Sequence, residues 1–262
     1  LTDYDLTDIT CSDYSASSDG SVKAWMDGTE LYIGGYGKII AGRSLVYAFR
    51  TGGEINSITG FEMLDTSNVT DMSQMFQSCG NHSTEFTLDL GNNFNTSNVT
   101  RMKDMFEGCG RESTKFTLNL GDNFDTSNVY DMSGLFHNCG YNSTVFALDL
   151  GEKFDTSNVI NMSDMFNGCG AKSTVFTLDL GEKFDTSNVI NMKSMFRECG
   201  YSSTKFTISL GDKFDTSKVT DMSNMFYRFG DESDEFTLDL GDHFDTSNVE
   251  NMTYMFYACG YR

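Results

Sequence analysis

A 17-residue phrase, read most cleanly at Phe184–Gly200 as FDTSNVINMKSMFRECG, recurs along the chain at a step of 30 residues. Its other copies occupy Leu64–Gly80, Phe94–Gly110, Phe124–Gly140, Phe154–Gly170, Phe214–Gly230 and Phe244–Gly260. No insertion or deletion interrupts the step. A period of about 20–50 residues marks one supersecondary unit stacked on itself, because no single unit can bury its own apolar face.

Each unit divides into three parts. The first reads as a strand: in Phe176-Thr-Leu-Asp-Leu180 the apolar residues share one face, and Thr177 and Asp179 share the other. One strand per unit, always in the same direction, predicts a parallel sheet with strands about 4.8 Å apart. The second part, Gly-x-x-Phe-Asp-Thr-Ser-Asn, reads as a turn. Gly91, Gly121, Gly151, Gly181, Gly211 and Gly241 stand where φ is expected to be positive. Asp, Thr and Ser side chains would bond local backbone there. The Asn slot holds Lys218 in one copy, which predicts that it faces solvent, since an unpaired lysine is costly to bury. The third part, Val-x-x-Met-x-x-Met-Phe-x-x-Cys-Gly, has apolar spacing i, i+3, i+6, i+7, i+10, a helical stripe. Its shortness predicts a single helical or 3-10 turn.

The fold class expected is therefore α/β: a solenoid with one parallel strand and a short helix or 3-10 turn per unit. Residues 1–19 read as a polar tail. Residues 20–50 read as a β-rich cap with a degenerate first unit, marked by a hairpin signal at Asp27-Gly28 before Leu31-Tyr32-Ile33. Residues 51–262 form about seven units. Val46 and Phe49 keep roughly the Met and Phe spacing of later copies, and Ile55 and Ile58 stand where a first strand belongs. Trp25 is expected to pack in the cap.

Charge narrows the partners. Eighteen basic against thirty-eight acidic residues leave a net charge of −20, which disfavours nucleic acid and anionic membrane. No apolar run approaches the length of a membrane span. Six of seven cysteines repeat in one slot that Phe229 fills in the remaining copy, so they read as small core hydrophobes rather than as disulfide or metal ligands. The recurrent methionines read likewise. His82, His137 and His243 fall in different slots, so they form no recurrent triad or metal cluster, and no catalytic residue is expected.

Asp185-Thr-Ser-Asn-Val189, Asn191-Met192 and Met195-Phe196 closely resemble the repeat of bacterial BspA-like leucine-rich-repeat surface proteins. Leu31-Tyr32-Ile33, Gly37-Lys38-Ile39 and Ala41 resemble the segment that precedes such repeats. The resemblance spans about Gly20 to the end. It implies a curved solenoid, exposed on or secreted from a bacterial cell, with adhesive or binding roles and no enzymatic activity. This chain differs in the extra residues around the strand, as in Gly200–Lys205 and Gly211–Phe214.

The outward face of the sheet, expected to be concave, is the candidate site. Asp89, Asn119, Asp149, Asp179, Ser209 and Asp239 should form one row. Thr87, Thr117, Ala147, Thr177, Thr207 and Thr237 should form the next, and Glu85, Lys115, Val145, Val175, Lys205 and Glu235 a third. Neutral Asn119 and Ser209 relieve repulsion along the acidic row. Only Asp149 and Asp179 are adjacent acids, which makes them a calcium candidate; otherwise no cofactor is expected. The partner expected is a host or microbial surface protein or glycan, met by a monomer within a longer chain. The alternative is a structural spacer that displays another domain.

Overall fold

Alternation of apolar and polar residues sets the strands, and the 30-residue step sets their register. The computed structural model describes residues 11–13, 22–27, 30–35, 39–51 and 53–261, the side chains of the first three segments and of Lys205, Thr207 and Ser209 excepted. The N-terminal strands are β1 (Cys11–Asp13), β2 (Val22–Asp27), β3 (Glu30–Gly35), β4 (Ile39–Ile40), β5 (Ser57–Ile58) and β6 (Leu64–Asp65). The units then give β7 (Glu85–Asp89), β8 (Lys115–Asn119), β9 (Val145–Asp149), β10 (Val175–Asp179), β11 (Lys205–Ser209) and β12 (Glu235–Asp239).

The hairpin expected around Asp27-Gly28 is the antiparallel pair β2–β3, which runs from Val22↔Gly35 to Asp27↔Glu30. Gly28 itself lies outside the described residues, as do the side chains of Trp25 and Cys11. β1, within the stretch read as a tail, adds antiparallel to β2. β3 then pairs parallel with β5, and β5 with β7, so the cap hands its edge directly to the repeats.

The chain is a parallel β-solenoid in which residue n meets residue n+30. Phe86 pairs with Phe116, Phe146 with Phe176 and Phe206 with Phe236. One seam interrupts this order. β8 and β9 occupy successive turns of the coil but have no paired register, so the strands divide into a sheet β1-β2-β3-β5-β7-β8 and a sheet β9-β10-β11-β12. A second parallel ladder continues across the seam. It is made of single bridges through Ser44, Asp71, Arg101, Asp131, Asn161, Asn191, Asp221 and Asn251.

The stripe expected to be a short helix or 3-10 turn takes the form of consecutive i→i−3 turns. Met165 N–H donates to Met162 at 3.2 Å and Cys169 N–H to Phe166 at 3.1 Å. Alternate amides leave the coil instead. Asp164, Phe166 and Gly168 donate to Lys193, Met195 and Arg197 of the following unit at 2.9, 2.8 and 2.7 Å. A regular helix would spend its amides within itself; here they link neighbouring units. Positive φ at Asp164 (57°) and Gly168 (66°) makes the alternation geometrically feasible. The single 3-10 helix among the described residues is Phe61–Met63.

The core is columnar. Phe76, Phe106, Phe136, Phe166, Phe196 and Phe226 stack face to face at centroid separations of 5.5–5.7 Å. The repeat methionines from Met72 through Met225 are fully buried beside them. Phe49 of the degenerate unit extends this column, stacked on Phe76 at 5.4 Å. The Cys slot is dry, and burial pushes the Cys79 thiol up to about 12. Phe229 fills that slot by turning edge-on to Phe206 at 4.9 Å. Gly170 closes its unit at φ +56°, where an added Cβ would fall 2.4 Å from the Phe176 ring, so both backbone and space call for glycine.

Threonine, expected to act within its own turn, bonds between turns. Thr156 is fully buried, donates Oγ1–H to Asp185 O at 2.8 Å and accepts from Asp185 N–H at 2.7 Å. Thr66, Thr96, Thr126, Thr186 and Thr216 repeat the donation with the unit that follows each of them. The preceding Asp does act locally, as in Asp155 Oδ1, which accepts Ser157 N–H at 2.9 Å.

Candidate functional site

The strand alternation that buries Phe and Leu turns the remaining side chains outward on a hydrogen-bonded ladder. The three expected rows are present in register. Thr87 lies beside Thr117 and Asp89 beside Asn119; Ala147 lies beside Thr177 and Asp149 beside Asp179. Thr237 and Asp239 pair with Thr207 and Ser209, whose side chains are outside the described set. Thr117, Asn119, Asp149, Thr177, Asp179, Thr237 and Asp239 are exposed, whereas Thr87 and Asp89 are partly covered. The seam between β8 and β9 splits every row in two.

The acidic row has a structural task that the repeat pattern did not reveal. Oδ1 of Asp89, Asn119, Asp149, Asp179 and Asp239 accepts the N–H of the glycine two residues on, at 2.9–3.0 Å. Each residue thereby fixes the turn that ends its strand and keeps its second side-chain atom outward. Asn119 uses that atom to donate to Asp89 Oδ1 at 2.8 Å. Lys115 Nζ lies 3.2 Å from Glu85 Oε2, so opposite charges pair at the cap end of the outermost row before Val145 and Val175 interrupt it.

At the seam the turns after β8, β9 and β10 border a groove of about 920 Å³. Asp122, Asp149, Glu152, Lys153, Asp179 and Lys183 line it. A Cβ on Gly121 would meet Gly91 O at 2.2 Å, whereas one on Gly151, Gly181 or Gly211 would meet nothing within 4 Å, so the turns from β9 onward are the more open ones. Lys153 spans the gap, donating Nζ–H to Asn123 Oδ1 at 2.7 Å. This groove had no signature in the sequence beyond Lys153 and Lys183, which stand two residues after the turn glycine where earlier units carry Asn93 and Asn123.

Asp149 and Asp179 bring two carboxylates side by side. Among the described residues no three His, Cys, Asp or Glu side chains converge as a metal-holding group. The histidines are scattered as expected; His137 sits 3.8 Å from Glu107 Oε1 and 3.1 Å from Asn138 Nδ2, far in sequence from His82 and His243. The Asn slot is solvent-facing, and it forms a ladder: Asn98, Asn128, Asn158, Asn188 and Asn248 each donate to the Ser carbonyl one turn back at 2.7–2.8 Å. Lys218 fits by donating to Asn188 Oδ1 at 2.7 Å.

Fold and surface together define a repeat solenoid whose inward positions are nearly uniform and whose outward variation is concentrated in the outermost strand row. The chain belongs to the family described as "Mycoplasma protein of unknown function, DUF285", which it matches in three overlapping stretches, 43–174, 111–228 and 170–261. Overlapping matches to one family are what an internally repeated chain produces. No curated protein and no solved structure matches the chain. No helix among the described residues is long and apolar enough to cross a membrane.

Proposed function

We propose that the chain is a non-catalytic recognition module of a bacterial surface or secreted protein, of the BspA-like leucine-rich-repeat kind that its repeat resembles. It binds a host or microbial protein or glycan through the outer face of the sheet. One observation carries this reading. The first exposed strand position changes in character along the coil, through Glu85, Lys115, Val145, Val175, Lys205 and Glu235, beside a nearly constant Thr row and a mostly acidic one. Repeat proteins use such faces to hold a varied side-chain array on a rigid frame. The groove at the seam adds a concavity at the middle of that array.

The test is a binding screen of the chain against host matrix proteins and glycans, with and without calcium, repeated on Asp149→Asn/Asp179→Asn. Asn119 shows that Asn keeps the turn-fixing acceptor, so this variant removes charge without removing the turn. Binding reduced about tenfold or more supports the face, since truncating charge at a contact centre costs on the order of 1.4 kcal/mol or more. Loss of calcium dependence alone assigns the pair to an ion. Binding unaffected by the variant removes this face, and no binding to any target favours the spacer role.

A further inference from the structure

The Asn column begins beside the cap, and its beginning is open. Later members give their amides to the Ser carbonyl one turn back, as Asn98 does to Ser67 O at 2.8 Å. Asn68, the first of them, is exposed and makes no side-chain bond among the described residues. The turn before it is short of side chains. Arg43 O accepts Thr70 N–H at 2.9 Å as Thr70 O accepts Thr100 N–H, so Arg43 stands in the Thr70 slot. Ala41 and Gly42 then stand in the slots of Asn68 and Val69. A Cβ on Gly42 would meet nothing within 4 Å. The missing side chains leave a pocket of about 530 Å³, lined by Gly42, Arg43, Ser67, Asn68, Thr70 and Asn98 beside Ala41.

Its chemistry is unlike that of the surface around it. No Asp or Glu lines the pocket, in a chain that carries 38 of them. Arg43 is exposed, and its guanidinium has no hydrogen bond or ion pair among the described residues. Asp71, which follows Thr70, is taken by Arg101 at 2.9 Å. The rest of the −20 charge acts weakly here, because physiological salt screens exposed charges beyond about 8 Å. A free guanidinium is a planar fork that matches a carboxylate. Around it stand neutral groups that suit hydroxyls. Asn68 keeps a whole amide, Asn98 keeps its carbonyl oxygen, and Ser67 has a hydroxyl. The Thr70 hydroxyl is spent on Arg43 O at 3.2 Å. Phosphate sites gather several Arg or a helix N-terminus; this pocket has one cation among amides. We propose that it binds an acidic sugar, with Arg43 on the carboxylate and Asn68 and Asn98 on ring hydroxyls. This rests on the glycan-binding role proposed above, but it lies on a different face from Asp149 and Asp179.

Glucuronate titrated into the full chain and followed by saturation-transfer NMR should bind with a Kd of roughly millimolar, the range a ligand of that size reaches in an open site. Glucose lacks the carboxylate and acetate lacks the ring, so each should bind about tenfold more weakly or less. Arg43→Gln should weaken glucuronate binding about tenfold or more, and Arg43→Lys should restore only part of it, because an ammonium has no fork. Asn68→Ala should weaken it about threefold or more. Both side chains are exposed, so the urea midpoint should not move in any of these variants. No binding of glucuronate overturns the proposal, as does binding indifferent to Arg43→Gln. Acetate or inorganic phosphate binding as tightly as glucuronate also overturns it, since the pocket would then be a simple anion site. Asp149→Asn/Asp179→Asn should leave glucuronate binding unchanged, so failure of this pocket and failure of the sheet face are read separately.

Discussion

Replacing Thr156 with valine tests the claim that threonine hydroxyls hold successive turns together. The change keeps shape and removes one oxygen. Asp185 N–H and C=O both lose a partner, at 2.7 and 2.8 Å, beside a side chain that is fully buried. A buried backbone group left unsatisfied costs about 1–3 kcal/mol, so two cost about 2–6 kcal/mol. Asp185 is only half-buried, which lets water recover part of the loss. The net expectation is about 2–3 kcal/mol. Thr246 is the internal control: the same residue in the same phrase, but exposed and with no following turn in the structure to bond. Thr246→Val should change stability by less than about 0.5 kcal/mol. The assay is urea unfolding followed by circular dichroism. Weakening one junction of a stacked array also erodes cooperativity, so Thr156→Val should broaden the transition as well as lower its midpoint. Equal effects from the two variants, or none from Thr156→Val, would refute the ladder.

Two further outcomes follow from burial. The thiols of Cys79, Cys109, Cys139, Cys169 and Cys199 are raised by burial, Cys79 to about 12, so none should react with a thiol reagent at neutral pH until the chain is unfolded in urea. Labelling of any of the five in the native protein, read by peptide mass, would contradict the dry column. Burial, then Glu107, raises the Asp104 carboxyl to about 6, above its unfolded value, so the folded state holds that proton longer and stability should fall as pH rises from about 4 to 6. Asn224 occupies the equivalent slot at φ 57°, so Asp104→Asn should fit. After discounting the shift for partial wetting, it should gain about 1–2 kcal/mol above pH 7 and nothing below pH 4, measured by thermal unfolding across pH.

Much of this architecture was legible in the residues because a repeat prints the same constraint many times. Phe176, Leu178 and Leu180 had to share a face, and a constant step had to give a parallel register. The Met and Cys slots had to be interior, since Leu135 and Phe229 could stand in for them. Two features were opaque. The helical spacing of Val159, Met162, Met165, Phe166 and Cys169 did reflect one buried side, but side-chain periodicity does not say where the amides go. Sending alternate amides to the next turn required positive φ at Asp164, a conformation that periodicity does not reveal. The Thr column was misplaced for a related reason. Asp-Thr-Ser is a local turn signal, and only stacking brings the neighbouring backbone to the hydroxyl. For the site, the outward rows could be read from alternation, but the seam could not. β8 and β9 have ordinary sequences, and their divergence is a property of the assembled stack.

Because every repeat meets the next through the same set of links, 29 to 31 residues apart, the repeats alone do not define which turn should meet which. A strand pairing sixty residues away would find the same phenylalanines, the same threonine hydroxyl and the same glycine. The β1–β3 edge, with its antiparallel pairing, is unlike the parallel repeats that follow, so it supplies the origin from which the turns are counted. Lengthening or shortening the coil by whole units would leave every bond made, and duplication within the gene could set the reach of such a protein without redesigning any part of it.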